Sequence, residues 1–196
     1  RFVPYEPKIE HATAVLDIVK ASDNDSLKTD IKVGLDMFEE LLGYRAVQFT
    51  PGAAIYSPLL HDSLLQNGIK SIHVQRYKAY PLGDGKYEKS FLYTGKKNAV
   101  GQRYIVRNCV FEPFLDDRTH NLNAVNNCLL NIEAAFRMHA PAMVSTHRVN
   151  FAGAIESTHR DESLRVLSQL LNEIVKRWPD VEFISGGQLS EILWKN

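Results

Sequence analysis

The sequence predicts an α/β fold of parallel strands joined by crossover helices, on three observations. Amphipathic helices alternate with short apolar runs between Ser26 and Val74, with brief connections. The same alternation resumes from about Asn121 to Ile184. Lastly, the apolar run Met143–Thr146 stops abruptly in imidazole, guanidinium and carboxamide groups, at His147, Arg148 and Asn150. In parallel α/β architectures the carboxyl ends of strands face the ligand crevice, and residues deeper in the strand are packed on both sides.

Each element follows from its local pattern. Ile31, Leu35, Phe38 and Leu42 form an i, i+4, i+7, i+11 stripe over Ser26–Leu42, and Gly43 supplies a left-handed cap, which together predict a helix. Ala46–Phe49 reads as a strand ending in the turn Thr50-Pro51-Gly52. Pro58 opens a second helix through Leu60, Leu64 and Leu65, which Gly68 stops, and Ile69–Val74 is strand-like. Residues 75–111 are punctuated by Pro81, Gly83, Gly85, Gly95 and Gly101 and read as an irregular excursion containing a hairpin. Val125, Leu129, Ile132 and Phe136 mark a helix over residues 121–138, followed by the strand Met143–Thr146. Asp161 is placed to cap a helix carrying Leu164, Leu167, Leu171, Ile174 and Trp178, which Pro179 ends. Val181–Ile184 reads as a last strand, and Ser185 opens a terminal helix with Leu189, Ile192 and Leu193. About four strands and five helices are too few to close an eight-fold barrel, so either the sheet is open or further elements precede Arg1.

Composition narrows the partners. The chain has 23 Lys and Arg against 23 Asp and Glu, and no long run of one sign, which argues against nucleic acid or an anionic membrane as the main partner. No stretch reaches the roughly 18 consecutive apolar residues of a membrane span. At 196 residues a single domain is expected. Cys109 and Cys128 lack a CxxC or Cys/His setting and read as buried thiols, which leaves the compartment open.

Several pieces carry a family resemblance: the helix end Phe38-Glu39-Glu40-Leu41-Leu42-Gly43-Tyr44-Arg45, the strand and turn Val47-Gln48-Phe49-Thr50-Pro51, and Asn67-Gly68-Ile69-Lys70. Ser145–Phe151 follows a Ser-x-His-Arg-x-Asn-Phe pattern, and Val181–Ile184 with Gln188-Leu189 closes the series. In order and spacing they resemble the carboxyl-terminal two-thirds of the polysaccharide deacetylase (NodB-homology) family, in a variant form. The resemblance implies one domain over residues 1–196 with a partial or distorted (β/α) barrel, lacking its amino-terminal elements. It also implies a hydrolase that removes acyl groups from a carbohydrate by metal-activated water. A divalent, zinc-like metal is expected from it, but the Thr-Phe-Asp-Asp and His-x-x-x-His motifs that ligate it in the family do not occur here and either lie upstream of Arg1 or have been lost. The family's Arg-x-Pro-Tyr turn aligns with Phe49-Thr50-Pro51-Gly52, without the Arg, and a later Trp motif is absent near Gln75, Arg76 and Tyr77.

In this scheme His147 is the catalytic acid, a role that suits an imidazole titrating near ~6.5; the plainer alternative is a histidine that caps the strand. Arg148 and Asn150, with Arg76 and Arg107 at the two ends of the excursion, supply donors for hydroxyl-rich sugars. Tyr56 stands either to stack on a sugar ring or to fill the core. Arg160 and Asp161 read as a local ion pair, and His73 as a core histidine rather than a ligand. His11 and the run Asp116–His120 hold metal-binding atom types without a ligand pattern. The rival to the enzyme is a non-catalytic carbohydrate-binding or scaffold domain that has lost the metal motif.

Overall fold

A computed structural model describes residues 16–114, 123–153 and 157–195. The chain divides into two compact units, one formed by the described parts of 16–106 and 184–195, the other by those of 107–183. Parallel strands and helices recur in both, and the described strands close no barrel. His11 and Asp116–His120 lie outside the described residues.

The first unit begins with helix α1, Asp23–Leu42. Its Leu27, Ile31 and Leu35 pack on the core while Leu42 is exposed, and Gly43 at φ 76° returns its N–H to the Glu39 carbonyl. Strand β1 (Gln48–Phe49) pairs in parallel with β2 (Ser71–Val74), and β2 pairs in parallel with β5 (Arg103–Val106). Between β1 and β2, Ser57 caps a short 3-10 turn at Pro58–Leu60 that leads into helix α2, His61–Gln66. Between β2 and β5 stands an antiparallel hairpin of β3 (Tyr77–Gly83) and β4 (Lys86–Phe91). The excursion therefore contains the expected hairpin and also a sheet strand, β5, that periodicity did not announce. Helix α5 (Gly186–Lys195) packs on β1 and β5. Leu60, Leu64, Ile69, Ile72, Tyr80, Leu92 and Val106 form the core, and each fully buried aliphatic side chain contributes about 1.5–3 kcal/mol.

In the second unit β6 (Cys109–Val110) pairs in parallel with β7 (Val144–Ser145), and helix α3 (Ala124–Arg137) connects them. A 3-10 turn at Arg148–Phe151 and helix α4 (Ser157–Arg177) follow. Cys109, Phe111, Cys128, Leu129, Ile132, Val166, Leu170 and Ile174 make its core. Both cysteines are free and buried, and burial pushes their thiols up to about 11 and about 12. They stay protonated and unreactive at neutral pH.

Three local expectations are corrected. Val181–Ile184 forms no strand: Val181 packs on the α3–α4 core and takes a turn bond to the Trp178 carbonyl, whereas Phe183 and Ile184 are exposed. The strand ending near Thr146 pairs with β6. In α4 the buried line is Ser163, Val166, Leu170 and Ile174, and Leu164 and Leu171 are exposed. That helix starts before Asp161, which pairs with Arg160 on its surface at 2.7 Å.

Candidate functional site

The parallel pair β6–β7 brings two chemically active side chains to adjacent strand ends. After β6, the chain continues through Phe111 to Glu112; after β7, through Thr146 to His147. The Glu112 Oε1 atom accepts the His147 backbone N–H at 3.1 Å and lies 2.8 Å from His147 Nδ1. A carboxylate accepts, so Nδ1 carries the proton, and Nε2 is the nitrogen left for other partners. The Glu112 side chain is 23% exposed and that of His147 is 71% exposed. The dyad is therefore anchored on its carboxylate side and open on its imidazole side.

Asn150, 1% exposed, completes the cluster. Its Nδ2 donates to Glu112 Oε2 at 2.5 Å and to the His147 carbonyl at 2.9 Å, and its Oδ1 accepts the Phe114 N–H at 3.2 Å. His159 supports the same turn, since Nε2 lies 3.1 Å from the Val149 carbonyl and its ring sits 3.9 Å from that of Phe114. Upstream, Asn108 ties the two strands together by accepting the Met143 N–H at 2.7 Å and donating to the Pro141 carbonyl at 2.9 Å.

Of the residues singled out by sequence, His147, Arg148, Asn150 and Arg107 belong to this unit, and Tyr56 and Arg76 belong to the other. Arg148 sits exposed in the 3-10 turn beside His147, and Arg107 is exposed two residues before β6. Arg76 is exposed just before β3. Tyr56 is 0% exposed, with its ring edge-on to Phe49 and Tyr80 and its hydroxyl 3.0 Å from His61 Nε2. Its ring is a core element rather than a stacking platform. His73 lies on β2, half-buried.

Glu112 is the member of this cluster that sequence reasoning missed. Its signal is the one that singled out His147, a polar group directly after a short apolar run, here Cys109-Val110-Phe111. Among the described residues no group of three or more His, Cys, Asp and Glu side chains could hold a metal ion. No described helix is long and apolar enough to cross a membrane. Compared with protein families, curated proteins and solved structures, the chain matches none.

Proposed function

We propose that the chain is a hydrolase of the polysaccharide deacetylase type, removing acyl groups from a carbohydrate with His147 as the general acid. The observation that carries the reading is the Glu112–His147 pair at the carboxyl ends of two parallel strands, with Nδ1 held and Nε2 presented outward. The sequence resemblance assigns His147 the same role. A partial or distorted (β/α) barrel is the architecture this reading expects.

In that role the protonated imidazole gives its Nε2 proton to the departing amine or alkoxide as the bond to the acyl carbon breaks. The ionised Glu112 stabilises the imidazolium before transfer and keeps the ring oriented, so the acid is in place when charge develops. The exposed imidazole suits a polymer that approaches from solution, and Arg148 beside it can donate to sugar hydroxyls. The family's divalent, zinc-like metal would activate the attacking water. The described residues do not form a donor set for it. The Arg-less Thr50-Pro51-Gly52 turn favours the second reading, a carbohydrate-binding domain without chemistry.

Acetate release from acetylated oligosaccharides in the presence of zinc tests the proposal. Slow release is expected, together with weak zinc binding by calorimetry. His147→Ala and Glu112→Gln should each lower release at least tenfold, within the about 10²–10⁴-fold contribution of a positioned acid. Equal rates for His147→Ala and the unaltered chain would sink the assignment. Saturable oligosaccharide binding with no release at all would establish the binding domain instead.

A further inference from the structure

We propose that Asn150 is a positioning residue that holds the Glu112 carboxylate in the orientation that dictates which nitrogen His147 presents. Sequence reasoning treats Asn150 as a sugar-binding donor. In the structure its carboxamide is buried and both of its N–H donors are already engaged. One Nδ2 hydrogen serves Glu112 Oε2, the other serves the His147 carbonyl, and Oδ1 receives the Phe114 N–H. The assignment of nitrogen and oxygen is unambiguous, because two acceptors face one end of the group and a backbone donor faces the other.

The consequence passes through Glu112. With Oε2 fixed by the buried amide, Oε1 is directed at His147, where it meets both the backbone N–H and Nδ1. Two contacts from one residue to one oxygen leave the imidazole little freedom to turn. They also require Nδ1 to be the protonated atom of the neutral ring, the reverse of the Nε2–H form that free histidine prefers. The turn closes on itself, since the Asn150 N–H returns to the His147 carbonyl at 3.0 Å. Aspartate at this position would set oxygen against Glu112 Oε2 and the His147 carbonyl. An apolar residue would remove the Asn150 contacts to the Phe114 N–H and to Glu112 Oε2, a loss that is costly for groups partly withdrawn from water.

The catalytic importance of this clamp rests on the acid role proposed for His147, but the tautomer does not. Two-bond ¹H–¹⁵N spectra of the labelled chain read the tautomer directly. Neutral His147 should be Nδ1-protonated in the unaltered chain and shift towards Nε2–H in Asn150→Leu. In a Glu112→Gln background the same substitution should add no further shift, because Asn150 acts through Glu112. A folded Asn150→Leu chain with the original tautomer would overturn the proposal, as would an undiminished shift in the Glu112→Gln background. Should Asn150→Leu fail to fold, the Asn150 carboxamide signal decides. It should sit downfield in the unaltered chain and move in Glu112→Gln, and a signal at the free-asparagine position that is the same in both overturns the clamp. In the acetate assay, Asn150→Leu should lower kcat by about 10- to 100-fold with KM little changed. A locked tautomer alongside acetate release indifferent to His147 would reject the acid role and leave the clamp standing.

Discussion

His61 is held neutral by its surroundings, and the cost of charging it ties stability to pH. The ring is buried beneath Tyr56 and Tyr104, whose hydroxyls lie 3.0 and 3.5 Å from Nε2. Burial brings its pKa down to about 4, against a weaker upward pull from Asp62, and burial likewise raises the phenols of Tyr56, Tyr80 and Tyr104. The unfolded chain therefore binds the proton first. Stability should be full above about pH 6.5 and fall as pH drops towards 4, by about 3 kcal/mol for this group alone. Denaturant melts across that range, compared with His61→Gln, should show this part of the slope vanish in the variant; matching slopes would refute it. The candidate site was half legible at this scale. His147 and Asn150 stand out because polar groups interrupt an apolar run, whereas Glu112 lies 35 positions before His147 and joins it only when two strands of two residues each find one another. Nothing in the local pattern of so short a strand announces its partner.

Helices with a full apolar stripe were readable because their period repeats over several turns. The heptad-scale spacing of Ile31 and Leu35 in α1, and of Val125, Leu129 and Ile132 in α3, lands on the cores as expected. Short apolar runs were not so readable: Arg103–Val106 is an outer strand of the parallel sheet, paired with β2, and Val181–Ile184 a connector, although both are four residues of similar character. The difference lies in the neighbours each meets, which local sequence does not encode. The β3–β4 hairpin carries a sharper dependence on one residue. Gly83 ends β3 at φ 87°, next to the bulge in the ladder, and a Cβ there would lie 2.2 Å from the Ala21 nitrogen and 2.6 Å from the Lys20 carbonyl carbon. The neighbouring Asp84 N–H bonds the Val19 carbonyl at 2.7 Å, so the segment entering α1 lies against the turn backbone to backbone. Gly83→Ala should cost more than about 2 kcal/mol, since neither the dihedral nor the approach tolerates a methyl group. Gly85 offers a matched control, with φ 69° and open space around it, and Gly85→Ala should cost only about 1 kcal/mol. Equal losses in thermal melts would show that the contact with Ala21 contributes nothing.

The unit that contains His61 draws on two separate stretches of chain. Helix α5 supplies buried Leu189, the Gly186 carbonyl that accepts the Gln48 amide, and Glu191, which pairs with Lys70 at 2.8 Å. The ion pair is partly exposed and adds little, so the apolar contact dominates. Leu189→Ala should cost about 2–4 kcal/mol and lower hydrogen-exchange protection in β1 and β5, on which α5 packs. Unchanged protection in those strands would mean that α5 is dispensable to the sheet. A ribosome makes this arrangement consequential. Synthesis proceeds from the amino end at about 5–20 residues per second, and the unit begun first still lacks its closing helix when residues 107–183 have already been made. Bringing α5 back also carries a loop-closure entropy that grows only logarithmically with the intervening length, so the delay is set by translation more than by search. The stretch translated later is thus complete earlier, and the nascent sheet of β1, β2 and β5 waits with the face meant for Leu189 uncovered, a surface for chaperones to shield until α5 has been made.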